Sequence, residues 1–190
     1  MTKKYITAEE LLEDSYRLGA LIIESGFRPD FIVGIWRGGA PVGIAVQEML
    51  EHFDISTDHI SLRTSLYTDI AKTEKQVRVH GLGYLVKTLN ATDSLLIVDD
   101  VFDSGRSIEA VVEQLTTRTR KNTPHDIRVA TPWYKPANNA TNRVPDYYLY
   151  ETGEWLVFPH EVQGLSDGEL AENKSELFEI MQSVGSLKPH

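Results

Sequence analysis

Two hydrophobic periods alternate along this chain. Leu11, Leu12, Tyr16, Leu18, Leu21 and Ile22 recur at helical spacing, and Thr7 with Glu10 stands ahead of them as a capping box. This predicts a helix reaching about Gly26. Residues 31–35 read as a short buried strand, broken by Trp36-Arg37-Gly38-Gly39, and residues 41–51 as the next helix. Residues 55–62 are strand-like, whereas residues 64–80 are polar and weakly periodic and read as a long mobile loop. The apolar run 95–98 reads as a buried strand followed by a helix. Residues 127–133 and 147–150 read as further strands, 155–158 as an extended segment, and 165–184 as an acidic amphipathic helix. Strands alternating with helices predict an α/β fold, a parallel sheet with helices on both faces. With no internal repeat or linker, residues 1–190 read as one domain carrying a helical tail from about residue 165.

Composition narrows the function classes. The 190 residues are 41% hydrophobic and 25% charged, with a net charge of −9. That balance argues against generic nucleic-acid binding. A site for an anion must then be local, built from backbone N–H groups and a few Arg or Lys. Cysteine is absent, which removes disulfide and thiolate chemistry and fits a cytoplasmic setting. The N-terminal stretch lacks the apolar core of a signal peptide, and no apolar run approaches the roughly 20 residues of a membrane span.

The chemistry concentrates at residues 94–115, SLLIVDDVFDSGRSIEAVVEQL. Asp99 and Asp100 close a strand, a place suited to holding hydroxyls or a divalent cation. Asp103-Ser104-Gly105-Arg106-Ser107 then opens a helix, where free N–H groups and the positive dipole end suit a phosphate. Asp103 reads either as the helix N-cap or as a proton-transfer group. In the loop after the first strand, Gly38 and Gly39 allow close backbone approach to an anion and Arg37 adds charge. Lys135, before Pro136, reads alone as a solvated surface residue. Trp155 reads either as a core aromatic or as a flat face for a base.

The run Leu95-Leu96-Ile97-Val98-Asp99-Asp100-Val101-Phe102-Asp103-Ser104-Gly105-Arg106-Ser107 resembles the phosphoribosyl pyrophosphate signature of the type I phosphoribosyltransferases. Trp155-Leu156-Val157-Phe158-Pro159-His160-Glu161 resembles a segment of the microbial and archaeal hypoxanthine, guanine and xanthine members, with His160 in place of the more usual Trp. The resemblance, covering residues 31–161, implies the family's α/β fold with a small hood segment. It implies transfer of ribosyl 5-phosphate from phosphoribosyl pyrophosphate to a 6-oxopurine, with release of pyrophosphate and Mg²⁺ as cofactor.

By resemblance, Ser104, Gly105, Arg106 and Ser107 hold the 5-phosphate, and Arg37, Gly38 and Gly39 the pyrophosphate, through a cis peptide at Trp36–Arg37. Asp99 and Asp100 hold the ribose hydroxyls and, with Glu161, lie near the metal. Asp103 handles the proton on purine N7, and Lys135 donates to O6. Trp155 stacks on the base while Leu156 and Val157 read its edge. Ser65-Leu66-Tyr67 resembles part of the catalytic lid. A homo-oligomer, dimer or tetramer, is implied. The competing readings are an enzyme for another base and a nucleotide-binding regulator of the same fold.

Overall fold

The computed structural model describes residues 2–68 and 75–185. In chain order the elements are β1 (Lys3–Tyr5), α1 (Ala8–Glu24), β2 (Phe31–Trp36), α2 (Gly39–His52), β3 (Asp58–Thr68), β4 (Lys75–His80) and α3 (Gly83–Thr88). There follow β5 (Ser94–Val98), β6 (Val101–Phe102), α4 (Arg106–Thr119), β7 (Asp126–Tyr134), β8 (Tyr147–Glu151), β9 (Trp155–Val157), α5 (Asp167–Asn173) and α6 (Ser175–Gly185).

The central sheet runs β4-β3-β2-β5-β7, with β8 on the outer side of β7 and the two-residue β6 continuing the line of β5. Every pairing is parallel except β3 with β4. A strand buried on both faces must be apolar throughout, and β5 shows why its run carries no alternation. Leu96 and Val98 pack with α1 and α2 residues such as Leu18, Ile22, Val42 and Val46. Leu95 and Ile97 face the opposite way, among Leu85, Ile108, Val111 and Leu115 of α3 and α4. From β2 the chain moves outward to β3, and β5 then pairs on the other side of β2. Their carboxyl ends therefore flank a topological switch point, where open α/β sheets bind ligands. β1 and β9 pair in parallel as a separate two-stranded sheet.

Three expectations need correction. Residues 64–80 are not one loop: β3 continues to Thr68 and pairs antiparallel with β4 from Arg63↔His80 to Thr68↔Lys75. The four-residue alternation Val77-Arg78-Val79-His80 is the only trace of this hairpin, and Val79 is the buried member. Residues 69–74, within that expected loop, lie outside the described residues. The helix expected over 165–184 is two helices, broken at Lys174, whose φ of −143° is not helical. On α1 the capping box forms as expected, but Leu12 and Tyr16 are exposed while Asp14 and Ser15 are buried. Asp14 can lie inward because Arg17 pairs with it at 2.6 Å and the Tyr150 hydroxyl donates to it at 3.0 Å. No helix among the described residues is long and apolar enough to cross a membrane.

Candidate active site

β5 delivers Asp99 and Asp100 to the sheet's carboxyl edge, and the chain then turns through Asp103, Ser104 and Gly105 into α4. Gly105 is the N-cap at φ 73°, and a Cβ there would press on the Phe102 ring and the Thr141 hydroxyl. Only glycine meets both demands. The first helical bond runs from Glu109 N to Gly105 O at 2.9 Å. The amides of Arg106, Ser107 and Ile108 thus precede it, at the positive end of the helix. Ser107 and Ile108 line a cavity of about 80 Å³ together with Asp99, Phe102, Asp103, Ser104 and Gly105. Arg106 points to the exposed side.

The loop after β2 lies directly against this edge. The Trp36–Arg37 peptide is cis, as the resemblance implies. A side chain at Gly38 would overlap the Asp100 carboxylate, and one at Gly39 the Val98 carbonyl. The two glycines therefore let one strand-end loop rest on another. Between them opens a polar cleft of about 240 Å³ bounded by Arg37, Gly38, Asp99, Asp100, Ser107, His160 and Glu161.

Desolvation and the neighbouring Asp100 charge hold the Asp99 carboxyl well above the usual carboxylate range, against the opposing pull of the Asp100 and Gly39 N–H groups. Two adjacent acids in this state gain from a cation. Among the described residues no group of three or more acidic, His or Cys side chains is arranged to hold a metal by itself. The two carboxylates are oxygen donors, the ligand type that suits a hard divalent cation. Glu161, turned back to accept from Phe158 N at 3.1 Å, lines the same cleft. His160 Nε2 lies 3.5 Å from Asp100, and its ring stacks on Phe158 at 9° between planes.

Lys135 follows β7 and is 8% exposed, so it is not a solvated surface residue. Its Nζ pairs with Asp103 Oδ2 at 3.1 Å, and Asn138 Nδ2 donates to Asp103 Oδ1 at 2.7 Å. Asp103 caps no helix, since α4 has no side-chain cap. Asp103 and Lys135, 32 residues apart, thus form one acid–ammonium pair at the edge of the loop that opens α4.

Trp155 is 55% exposed, which removes the core reading, while Leu156 and Val157 beside it are buried. Trp155 and Val157 line a cavity of about 280 Å³ with Lys3, Glu161 and Leu165. Lys135 does not border that cavity, and Glu161 is the residue shared with the acidic cleft. Asn138 escaped the sequence reading because its turn-rich surroundings look like any loop. Its offset of three from Lys135 is the signal available. The contact of His160 with Asp100 depends on how β9 sits over the sheet, which no local pattern encodes.

Comparison with known proteins agrees with this geometry. The phosphoribosyl transferase domain model matches residues 3–166. The hypoxanthine-guanine phosphoribosyltransferase of Lactococcus lactis is 27% identical over 147 residues, covering 76% of this chain and 74% of that protein. The bifunctional protein TilS/HprT of Listeria monocytogenes is 26% identical over 98% of this chain, which spans only 26% of that protein's length. Among solved structures, the purine phosphoribosyltransferase of Pyrococcus horikoshii superposes with a TM-score of 0.65 at 27% identity, covering 87% of this chain and 98% of that one. The xanthine-guanine-hypoxanthine phosphoribosyltransferase of Helicobacter pylori, at 22% identity and a TM-score of 0.65, covers 92% of this chain and 99% of its own and shares the fold. A strand-end pair of acids, a glycine-started helix and a glycine loop resting on those acids are thus found together in a chain that belongs to the phosphoribosyl transferase domain family.

Proposed function

We propose that this chain transfers ribosyl 5-phosphate from phosphoribosyl pyrophosphate to a 6-oxopurine, releasing pyrophosphate, in purine salvage. The observation that carries the reading is the buried Lys135 ammonium 3.1 Å from the Asp103 carboxylate. A 6-oxopurine presents an acceptor at O6 beside N7, whereas adenine presents an amino donor at the same corner. One ammonium donor toward O6 and one carboxylate toward a protonated N7 match the first edge. The adenine amino group would meet the ammonium donor to donor.

In the reaction the C1–oxygen bond to pyrophosphate breaks and a bond from C1 to purine N9 forms. The base's N7 proton passes to Asp103, whose side chain is 46% exposed and keeps an open side beyond its two donors. Leaving-group charge develops beside Arg37 and the Gly38-Gly39 backbone, where fixed donors stabilise it without reorganising. Asp99 and Asp100, with Glu161 nearby, would hold a divalent cation, which would supply further charge neutralisation for pyrophosphate. The amides opening α4, with the Ser104 and Ser107 hydroxyls, hold the 5-phosphate. Trp155 offers the stacking face and Leu156 and Val157 the backbone groups beside it.

The test is product formation from phosphoribosyl pyrophosphate and Mg²⁺ with each base in turn. Nucleoside 5′-monophosphate is expected with hypoxanthine, guanine or xanthine and not with adenine. Efficient use of adenine alone, or the absence of product with every base tried, contradicts the reading.

A further inference from the structure

The segment joining α5 to α6 is bound to the site by a single side chain. Lys174 ends α5, its N–H reaching Leu170 O at 2.8 Å, and it starts α6 by accepting from Phe178 N at 2.9 Å. Its Nζ turns back under the turn after β9. There it donates to Phe158 O at 2.7 Å, Pro159 O at 3.2 Å and Glu161 O at 2.7 Å. An ammonium has three donors and no acceptor, so this one is fully used on the carbonyls of one four-residue turn.

That turn carries much of the candidate site. His160 and Glu161 project from it into the cleft with Arg37, Asp99 and Asp100. The turn follows Val157 directly, and a further bond, Glu161 N to Phe158 O at 3.0 Å, closes it. Three converging carbonyls repel one another unless a cation sits among them. Charge-assisted bonds of this kind are about twice as strong as neutral ones. Nothing else contributed by α5 or α6 is bonded to residues 158–161 among the described hydrogen bonds.

We propose that Lys174 is a positioning residue, a clamp from the C-terminal helices that fixes the 158–161 turn and through it the placement of His160, Glu161 and the β9 edge. The proposal rests on the phosphoribosyl-transfer reading for its kinetic consequence, but the clamp itself is measurable without turnover. Lys174 touches no substrate; it acts through the turn.

The test uses the full chain with Lys174→Met, which keeps the stem and removes the ammonium, and Lys174→Arg, whose planar fork cannot serve three converging carbonyls equally. Amide hydrogen exchange of residues 158–163 is expected to quicken at least tenfold in Lys174→Met, with residues 104–115 unchanged. KM for the purine and for phosphoribosyl pyrophosphate is expected to rise at least tenfold. Binding of ribose 5-phosphate, which engages the 103–107 loop, should stay at the wild-type level. Lys174→Arg should lie between, and it carries the same comparison if Lys174→Met does not fold. Wild-type exchange in 158–163, or faster exchange with wild-type KM values, overturns the proposal. A wild-type chain that converts no 6-oxopurine defeats the proposed function instead, and the exchange rates then decide the clamp.

Discussion

Asp103 accepts from Lys135 and Asn138 and caps nothing, so its loss belongs to chemistry before stability. Asp103→Asn keeps the shape and one acceptor for Lys135 but cannot take a proton. Turnover should fall about 10²-fold or more, the scale of a lost general base. No helix cap is removed, so the melting temperature should fall only by what the lost charge of the Lys135 pair contributes. A large drop in melting temperature with wild-type kcat would return Asp103 to a structural role. Trp155 carries a second prediction. At 55% exposure, truncation leaves no core cavity, so Trp155→Ala should spare stability. Stacking on an aromatic is worth about 1–3 kcal/mol per base, so KM for the purine should rise roughly tenfold to a hundredfold. Kinetics beside a melting curve check both halves; an unchanged KM removes Trp155 from the site. The two residues differ in how far sequence reveals them. Asp103 stands inside a contiguous motif whose spacing carries the chemistry. Lys135 and Trp155 are lone residues whose burial, high for Lys135 and low for Trp155, could be learned only from the packed chain.

At the scale of elements, the N-terminal strand and the C-terminal helices meet at Glu169. Its Oε1 accepts from Lys3 Nζ at 2.5 Å and from the Tyr5 hydroxyl at 3.3 Å, tying α5 to β1. Its Oε2 accepts from Ser166 N at 2.9 Å, completing the α5 capping box. The Lys3 bond first, and the Ser166 bonds next, lower its pKa from 4.5 to about 2. A folded-state value below the unfolded one favours the ionised form in the fold. The contribution is therefore complete above about pH 4.5 and is lost as pH falls through 2. Glu169→Gln should melt below wild type at pH 7, with the gap closing between those limits. A gap that stays constant with pH would mean that the charge contributes nothing. These contacts also show why the tail was hard to read. Its apolar spacing is continuous across Lys174, and only the pull of the Phe158, Pro159 and Glu161 carbonyls on that side chain marks the break. The β3–β4 hairpin was hidden for a related reason: backbone pairing holds it, and most of its side chains are polar.

For the molecule as a whole, the parallel sheet and its helix-covered faces were legible because the innermost strands β2 and β5 are apolar nearly throughout and the helices α1 and α4 are amphipathic. The 103–107 loop, the acid pair and the glycine loop were legible because each is contiguous in sequence. What joins them is tertiary: the seating of Gly38 on Asp100, of His160 beside Asp100 and of Lys135 on Asp103. On the proposed function, the Lys135–Asp103 pair selects a 6-oxopurine. Lys135→Met tests it most directly, because the stem still fills the buried space while the donor for O6 is gone. The measurement is the ratio of kcat/KM for hypoxanthine over adenine, in wild type and in this variant. A site built to hydrogen-bond a polar group rejects the mismatched analogue by about 10⁴–10⁵. The expected result is a large wild-type ratio in favour of hypoxanthine that falls by about 10²-fold or more in Lys135→Met. A ratio that is unchanged by the substitution, or that favours adenine in wild type, would contradict the account.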